Sequence, residues 1–283
     1  MTKENVMTDQ LLSGSQRAIW NDLVGEAWVR HADLHDRQAE PFGIAVMDAL
    51  GEIHGARVLD VGCGTGATVT QLIERGAAEV VGVDLSEPMV TAARTWIEDP
   101  RAHFEVGDVL EAAPGGPFDV VFSRFGVMFF SEPGSAFARL RSCAAPEGRL
   151  GFCCWGPPSA NPVMTLPVMA SVPVLGPPRF AGPGEPGPFS LPEPAVVRPI
   201  LEAAGWTDVR ITELQLDPPH PAGGADAVAD VVMEFNPLLV DGLRRHPDLH
   251  AATRSAIVDA IRPFERNGTV HLGARALIVT ARS

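Results

Sequence analysis

The sequence predicts an α/β protein built on a mostly parallel sheet, and three observations lead to this fold class. Apolar segments of strand length alternate with segments of helical periodicity between residues 57 and 154. A glycine-rich turn follows the first predicted strand, at residues 62–66. Helix ends carry suitable residues, with Pro88 in the first turn of one helix and Gly76 just after another. Strands that alternate with helices in this way form a parallel sheet covered by helices on both faces.

The chain before residue 57 is predicted to be helical. Ser15 can cap a first helix, and one face of that helix collects Trp20, Val24, Trp28, His31 and His35. A second helix is expected from Pro41 to a point near Gly55. The aromatic face either packs on the rest of the protein or covers a ligand cleft, and both interpretations are open at this point.

The remaining elements follow in order and define four parts. Strands are predicted over 57–61, 79–83, 102–106, 118–122, 148–154, 206–216 and 269–282. Helices are predicted over 67–76, 88–98, 133–144, 193–204, 225–243 and 247–263. The four parts are a helical cap (1–56), a ligand-binding core (57–155), a proline-rich lid insertion (156–192) and a second part of the core (193–283) with a helical insertion (225–263).

Half of the prolines lie in one stretch of the chain. Residues 155–199 contain 13 of the 26 prolines. Because proline lacks an amide N–H and clashes with the preceding turn, this density argues against a continuous helix or a central strand. The stretch keeps large apolar residues such as Met164, Leu166 and Phe180. We therefore expect it to fold over the ligand cleft as part of a lid, with a surface excursion that contacts no ligand as the alternative.

Composition argues against several classes of function. The chain has 22 Lys and Arg residues against 35 Asp and Glu residues, a net charge of −13, and no basic run. A protein that binds nucleic acid by neutralising phosphates needs clustered cations, so nucleic acid is not an expected partner. No apolar run approaches the roughly 18 residues of a membrane-spanning helix, and no N-terminal signal pattern is present. We expect no membrane partner and a location in the cytoplasm.

The cysteines are expected to be reduced thiols. The four cysteines are Cys63, Cys143, Cys153 and Cys154, and none has the spacing of zinc ligands. Two of them are adjacent in a predicted strand, which fits a reducing compartment better than a disulfide. No metal site is predicted. The chain has no tyrosine, so a phenol side chain cannot act as an acid or base.

The turn after the first strand indicates a ligand site. Asp60 precedes three glycines, at 62, 64 and 66, whose missing Cβ atoms let the backbone bend sharply and approach a ligand. The N–H groups of the helix that begins near Gly66 face any ligand anion. Asp84 and Asp108 stand at the ends of the next two strands, so three carboxylates are expected at one edge of the sheet.

Taken alone, the glycine turn also fits a dinucleotide-binding pattern. Gly62, Gly64 and Ala67 satisfy its loose form, and Asp84 lies about 20 residues further on, where a ribose-binding acid stands. However, nicotinamide-binding turns usually carry an apolar residue at the position of Asp60. A carboxylate at that place favours a cationic ligand group instead.

Five motifs in this order resemble those of the class I S-adenosylmethionine (SAM)-dependent methyltransferases, in particular the branch similar to quinone-biosynthesis methyltransferases. They are VLDVGCGTG at 58–66, VGVDLSEPM at 81–89, Gly107-Asp108, FDVVFS at 118–123, and Leu140-Arg141 with PEGRL at 146–150. The resemblance is strong over 40–155 and rests on pattern alone over 190–283. It implies a seven-stranded Rossmann-like sheet whose last strand lies antiparallel beside the sixth. It also implies methyl transfer from SAM to an oxygen or nitrogen atom of a small molecule.

The resemblance further implies which residues contact the cofactor. Asp60 would bind the methionyl ammonium group, Asp84 the ribose hydroxyls and Asp108 the adenine amino group. Ser123 would offer a backbone contact to the methionyl portion. The full set of implied cofactor residues is Asp60, Gly62, Cys63, Gly64, Thr65, Gly66, Asp84, Leu85, Met89, Gly107, Asp108, Val109 and Ser123.

The acceptor side is less defined. Methyl transfer from SAM depends mainly on alignment and exclusion of water, although a phenol or alcohol acceptor also benefits from a general base. His31 and His35 are the candidate bases, with core packing as the alternative, and Arg124 either pairs with an acidic acceptor or forms a structural ion pair. The apolar loop 125–130 predicts a small, fairly apolar or aromatic acceptor. The candidate acceptor residues are Trp28, Arg124, Met128, Trp155 and Asn161.

Two other functions are compatible with the sequence. One is a SAM-binding protein or enzyme that transfers no methyl group. The other is an NAD(P)-dependent oxidoreductase, which Asp60 and Asp108 disfavour. A homodimer that uses the proline-rich stretch as its contact is also open.

Overall fold

A computed structural model describes residues 16–111, 115–181 and 184–283 of the protein. The cap predicted at Ser15 lies outside these residues. The chain divides into two compact units. The helical unit comprises Met1–Gln38, Pro158–Gly182 and Gln215–Ala274, and the sheet unit comprises Ala39–Pro157, Pro183–Leu214 and Arg275–Ser283. Each unit takes separate segments of the chain, whereas the four parts predicted from the sequence are consecutive.

Nine strands are present in the described residues. They are β1 (Arg57–Val61), β2 (Glu79–Asp84), β3 (Ala102–Val106), β4 (Phe118–Arg124), β5 (Ala144–Trp155), β6 (Thr207–Leu216), β7 (Glu265–Arg266), β8 (Thr269–Val270) and β9 (Ala274–Arg282). Seven of them form one sheet in the order β3-β2-β1-β4-β5-β9-β6. Strands β1 to β5 pair in parallel, and β9 runs antiparallel to β5. The predicted fold class, a seven-stranded sheet with an antiparallel last strand, is confirmed.

Eleven α-helices accompany the strands in the described residues. In chain order they are α1 (Gln16–Ala18), α2 (Gly25–Arg30), α3 (Ala32–Leu50), α4 (Ala67–Glu74), α5 (Glu87–Trp96), α6 (Pro133–Cys143), α7 (Pro162–Leu175), α8 (Pro194–Ala203), α9 (Ala225–Phe235), α10 (Pro237–Arg245) and α11 (His250–Ile261). A π-helical turn, Ile19–Leu23, follows α1. No helix among the described residues is long and apolar enough to cross a membrane.

The core of the sheet unit follows from the apolar runs of its central strands. Leu59 in β1, Phe122 in β4 and Phe152 in β5 are all fully buried. Strands that are apolar on both faces belong inside a parallel sheet with helices on either side. Helix α4 buries Val69 and Leu72 on one face. These strands therefore form a buried base whose carboxyl edge carries the glycine turn.

The prediction of a second helix that starts at Pro41 was wrong. Helix α3 begins at Ala32 and continues through Pro41 to Leu50. Proline inside a helix removes one backbone hydrogen bond. The turns after it bury Phe42, Val46 and Met47 almost completely, and this apolar burial offsets the lost bond.

The prediction that the proline-rich stretch holds no continuous helix was also wrong. Helix α7 runs for 14 residues and contains Pro167 and Pro173 in its interior. Its surroundings explain this, because α7 packs against α10 and α11 in the helical unit. At the contact with α10, a Cβ atom on Gly242 would lie 3.0 Å from Leu175. Tertiary packing has overridden the local preference of the sequence here.

Two further predicted elements are each split in the structure. The helix predicted over 225–243 is split, because Asn236 ends α9 and its side chain accepts the N–H groups of Leu238 and Leu239 at the start of α10. The last predicted strand is split as well. Its first two residues form β8, which pairs with β7 across a turn at Asn267-Gly268, and β9 begins only at Ala274.

Candidate functional site

Backbone contacts to neighbouring strands hold the glycine turn after β1. The N–H groups of Gly62 and Cys63 donate to the carbonyl of Val83 in β2, at 2.8 and 3.2 Å. On the side of β4, Gly62 faces Gly126, and a Cβ atom on Gly62 would lie 2.8 Å from the Cα atom of Gly126. Gly62 also has a φ angle of 73°. Only glycine satisfies both the conformation and the close approach.

Asp84 ends β2 and is bonded to the same turn. Its Oδ2 atom accepts the N–H of Gly64 at 2.9 Å, and its Oδ1 atom accepts the N–H of Ser86 at 2.8 Å. Burial raises the pKa of the carboxyl group, and the bonds from these backbone groups act in the opposite direction. The backbone N–H of Leu85 bonds the carboxylate as well. A carboxylate has about four lone-pair sites, so about one stays open to a ligand hydroxyl.

Asp60 is a fully buried acid in β1. Its Oδ2 atom accepts a hydrogen bond from the hydroxyl of Thr68, and no described residue hydrogen-bonds its Oδ1 atom. Burial raises the pKa of Asp60 to about 7, against the opposing effects of the Thr68 bond and the positive charge of Arg124. A buried carboxyl oxygen without a partner is costly, so the site suits a ligand group that donates a hydrogen bond or carries positive charge.

The end of β3 lies beside the end of β2. The N–H of Gly107 donates to the Asp84 carbonyl at 2.9 Å. Asp108 is half-buried, and its Oδ1 atom accepts the N–H of Leu110 at 2.9 Å, which fixes the turn. The acids at the ends of β2 and β3 therefore occupy one edge of the sheet, as the sequence predicted.

Apolar residues accompany these acids. Val109 and Met89 are buried, whereas Leu85 and Thr65 are half-buried. The Met89 sulfur would lie 3.8 Å from a Cβ atom on Gly64, so it packs on the glycine turn. Cys63 is also buried, and burial raises the pKa of its thiol.

Ser123 joins the end of β4 to the end of β1. Its hydroxyl donates to the Val61 carbonyl at 2.7 Å and accepts the N–H of Gly126 at 3.2 Å. The next residue, Arg124, is half-buried, and its Cδ atom would lie 3.0 Å from a Cβ atom on Gly43 in α3. The absence of a side chain at Gly43 thus leaves space for the Arg124 side chain.

Three aromatic rings lie at the ends of β4 and β5. Phe125 and Trp155 are stacked, with ring centroids 3.9 Å apart and planes 16° apart. Phe42 of α3 stands edge-on to both rings, at 5.5 and 5.3 Å. We call these three residues the aromatic cluster. Trp155 was predicted as an acceptor residue, but nothing in the sequence identified Phe42 or the stacking of Phe125.

Met128, another predicted acceptor residue, is buried in the sheet unit. Its carbonyl accepts the N–H of Gly187 at 3.0 Å and the hydroxyl of Ser190 at 2.6 Å. Phe122 and Phe130 are also buried, whereas Phe129 is half-buried. Met128 therefore ties the loop after β4 to the segment before α8.

Comparisons with known proteins decide the family. Residues 58–148 match a family model described as a methyltransferase domain. A nocamycin O-methyltransferase from Saccharothrix syringae is 30% identical to this chain over 258 residues, which are 86% of this chain and 90% of that protein. The chain belongs to the SAM-dependent methyltransferases. The resemblance stated from the five motifs is confirmed.

Other similar proteins agree with this assignment. The ubiquinone biosynthesis O-methyltransferase of Neisseria meningitidis is 31% identical over 139 residues, 47% of this chain and 56% of that protein. The solved structure of Haemonchus contortus phosphoethanolamine N-methyltransferase 2 with SAM has a TM-score of 0.51 and 16% identity, over 86% of this chain and 52% of that chain. This second likeness concerns the fold alone. The methyltransferase uses SAM as its cofactor and acts on a small molecule. The comparisons support neither the oxidoreductase nor the binding protein without methyl transfer.

The candidate bases of the methyltransferase lie in the helical unit. His31 Nε2 is 3.0 Å from Glu234 Oε2, and Arg30 approaches the same oxygen at 3.4 Å. The hydrogen bond from His31 lowers the pKa of Glu234. The sequence did not reveal Glu234 as a partner, because 203 positions separate the two residues.

The other predicted residues of this unit are packed within it. His35 stacks on Trp28, with ring centroids 3.9 Å apart, and meets Phe235 edge-on at 4.3 Å. Asn161 is fully buried just before α7, and its carbonyl accepts the hydroxyl of Thr165 at 3.1 Å. Roles for these residues in binding the acceptor stay predictions.

Proposed function

We propose that this methyltransferase transfers the methyl group of SAM to an oxygen atom of a small aromatic molecule. The observation that supports an aromatic acceptor is the position of the aromatic cluster. The cluster lies just beyond Ser123, the residue that bonds the end of β1 before the glycine turn. Phe125 comes two residues after Ser123, and Trp155 ends the neighbouring strand β5. The choice of oxygen is supported by the two curated relatives described above, which are both O-methyltransferases.

For the cofactor, we propose that Asp60 binds the methionyl ammonium group. The buried Oδ1 atom, which no described residue hydrogen-bonds, supports this role, because an ammonium group would supply both a proton and a charge. Asp84 would accept the ribose hydroxyls, and Asp108 would accept the adenine amino group. SAM itself supplies an electrophilic methyl group bound to a positively charged sulfur.

The remaining proposed cofactor residues act through shape and backbone contacts. Gly62, Gly64 and Gly66 let the backbone of the turn bend, and all three have positive φ angles. Met89 and Val109 would provide apolar surface for a flat ring. The other residues proposed for the cofactor site are Cys63, Thr65, Leu85, Gly107 and Ser123. For Ser123 we propose a backbone contact, since its hydroxyl already bonds Val61 and Gly126.

For proton removal from a hydroxyl acceptor, we propose His31 before His35. The carboxylate of Glu234 fixes the ring of His31 and would stabilise the imidazolium that forms when the ring accepts a proton. His35 comes second because its ring is stacked on Trp28 and meets Phe235 edge-on, so aromatic side chains cover part of it. Arg124 is an alternative functional group for an acceptor with an acidic substituent, since its guanidinium is always charged.

For the acceptor, we propose contacts with Trp28, Arg124, Met128, Trp155 and Asn161. Arg124 and Trp155 are best supported because they adjoin Phe125 in the sheet unit.

Three further proposals concern partners and location. We propose that nucleic acid is not a partner, which the net charge of −13 supports. We also propose that the enzyme works in the cytoplasm and that it can form a homodimer.

The test is incubation of the purified enzyme with methyl-tritiated SAM and a panel of phenols, aliphatic alcohols, carboxylic acids and amines. We expect label to appear mainly on phenolic oxygens, with the methyl ether identified by mass spectrometry. The Asp84→Ala variant should bind S-adenosylhomocysteine (SAH) at least about tenfold more weakly, because a hydrogen bond from a ligand to a charged group contributes roughly 1.5–3 kcal/mol. Label found only on amines would contradict the choice of oxygen, and tight SAH binding without any transfer would contradict the proposal as a whole.

A further inference from the structure

Phe125 is a bulky apolar residue in a backbone conformation that L-residues avoid. Its φ angle is 60°, in the left-handed region that glycine adopts without steric penalty. Three other non-glycine residues of the described chain share the conformation, namely Glu147, Asp208 and Asn267, and all three are polar and exposed. Phe125 differs from them because it is aromatic and half-buried.

The turn after β4 does not itself require a phenyl ring at this position. The N–H of Phe125 donates to the Cys153 carbonyl at 3.1 Å, a bond that glycine or asparagine would form equally well. The following residue, Gly126, is explained by close packing, because a Cβ atom there would lie 2.6 Å from the Val61 carbonyl oxygen. Backbone geometry therefore accounts for Gly126 and leaves the side chain of Phe125 unexplained.

The aromatic cluster gives that side chain a place. Phe42 and Trp155 are buried, with 1% and 9% of their surface exposed, and they support the ring of Phe125 from the edge and from one face. Phe125 is the member of the cluster that keeps more accessible surface. It stands between Arg124, whose charge acts on Asp60, and Gly126, which touches the glycine turn.

We propose that Phe125 determines acceptor specificity, because its ring, held in a strained conformation and backed by Trp155, forms a flat surface on which a planar aromatic acceptor stacks. Unfavourable backbone conformations persist where the surrounding structure imposes them, and they concentrate at functional sites. A flat ring selects another flat ring through face or edge contacts that a saturated ring cannot match. This inference rests on the proposed function and names the residue that selects the substrate class.

The test compares 2-naphthol with decahydro-2-naphthol, a saturated alcohol with the same carbon skeleton, as ligands of the SAH-saturated enzyme in calorimetry. We expect wild-type enzyme to bind 2-naphthol at least about tenfold more tightly, which corresponds to about 1.4 kcal/mol. Phe125→Gly and Phe125→Asn, which both tolerate the left-handed conformation, should lose this preference, and Phe125→Tyr should keep it. The Kd for SAH should change by less than about threefold in every variant, since the cofactor residues are untouched.

Asp208→Gly is the matched control, because it relieves a left-handed φ angle of 48° at an exposed position near the start of β6. It should leave all these affinities unchanged. Equal affinity of wild-type enzyme for the two alcohols, or a preference that survives in Phe125→Gly and Phe125→Asn, would overturn the inference. A large loss of SAH affinity in those variants would overturn it as well, because the ring would then serve the cofactor site. If the preference behaves as expected but no label reaches any phenol, Phe125 keeps its role and the proposed function fails.

Discussion

The sheet unit and the helical unit place their polar groups in opposite ways. We call the sheet edge with Asp60, the glycine turn and Asp84 the cofactor edge, after its proposed ligand, and the helix face with His31 and His35 the histidine face. At the cofactor edge, the hydroxyl of Thr68 bonds Asp60 and the N–H groups of Gly64 and Ser86 bond Asp84. Burial raises the pKa of both carboxyl groups. On the histidine face, His31 meets Glu234 at a half-exposed position, and that contact lowers the pKa of Glu234. The first arrangement stores unfavourable energy that a ligand can relieve, whereas the second is already satisfied within the protein.

The largest expected effect comes from Asp60. A folded-state pKa raised from 3.8 to about 7 means that the contribution of Asp60 to stability is fully present below pH 3.8 and is lost as the pH rises through about 7. Asp60→Asn should therefore stabilise the SAM-free enzyme at pH 8, by at most about 4 kcal/mol at 1.36 kcal/mol per pKa unit. The gain should shrink toward zero near pH 4. Urea unfolding at a series of pH values measures this.

The same substitution should affect ligand binding in the opposite direction. Binding of the SAH ammonium group favours ionised Asp60, so the affinity of wild-type enzyme should rise as the pH increases toward 7 and then level off. Asp60→Asn should bind SAH more weakly and lose this pH dependence. An Asp60→Asn variant that is no more stable than wild type at pH 8 would show that the carboxyl group is stabilised by contacts that the structure does not contain.

The next effect isolates the contact between the ends of β1 and β4. Gly62 and Gly55 have nearly equal φ angles, 73° and 74°, but a Cβ atom would meet Gly126 only at Gly62, since nothing lies within 4 Å at Gly55. Gly55→Ala should cost about 1–2 kcal/mol of unfolding free energy from its conformation alone. Gly62→Ala should cost about 2 kcal/mol more and weaken SAH binding, because the backbone of the turn must shift. Equal losses of unfolding free energy in the two variants would show that the close contact between Gly62 and Gly126 does not affect stability.

The sequence predicted the cofactor edge far better than the histidine face, and the reason is physical. Asp60, the glycine turn and Asp84 lie in strand-turn-helix units whose geometry follows from local rules, so a short motif places them correctly. Glu234, the partner of His31, lies 203 positions away, and no local sequence pattern predicts a contact at that distance. The conformation of Phe125 was missed for a different reason, since a positive φ angle at a bulky residue contradicts local preference and is set by its neighbours.

Helix α7 teaches the same lesson at the level of the fold. Its prolines at 167 and 173 argue against a helix when only the chain itself is considered. The helix exists because its apolar residues join a core with α9, α10 and α11 that includes Val168, Val232 and Ile257. Local sequence patterns thus predict a strand that ends in a tight turn. They do not predict a helix whose stability comes from the apolar area that it buries against distant segments.

The smallest expected effect concerns Glu234 and completes the comparison with Asp60. Because the pKa of Glu234 is lowered in the folded protein, its contribution to stability is present above the ordinary pKa of 4.5 and is lost as the pH falls through the folded value, the reverse of Asp60. Half of the Glu234 side chain is exposed, so solvent screens the pair and Glu234→Gln should cost only about 0.5 kcal/mol at pH 6. Arg30→Gln, which removes the longer contact to the same oxygen, is the matched control and should cost less.

Urea unfolding in low and high salt measures these effects. In 1 M salt the effect of Glu234→Gln should disappear, and that of Asp60→Asn should remain. A loss above about 2 kcal/mol that persists in salt would mean that the histidine face stores energy as the cofactor edge does, and the contrast between the two regions would fail.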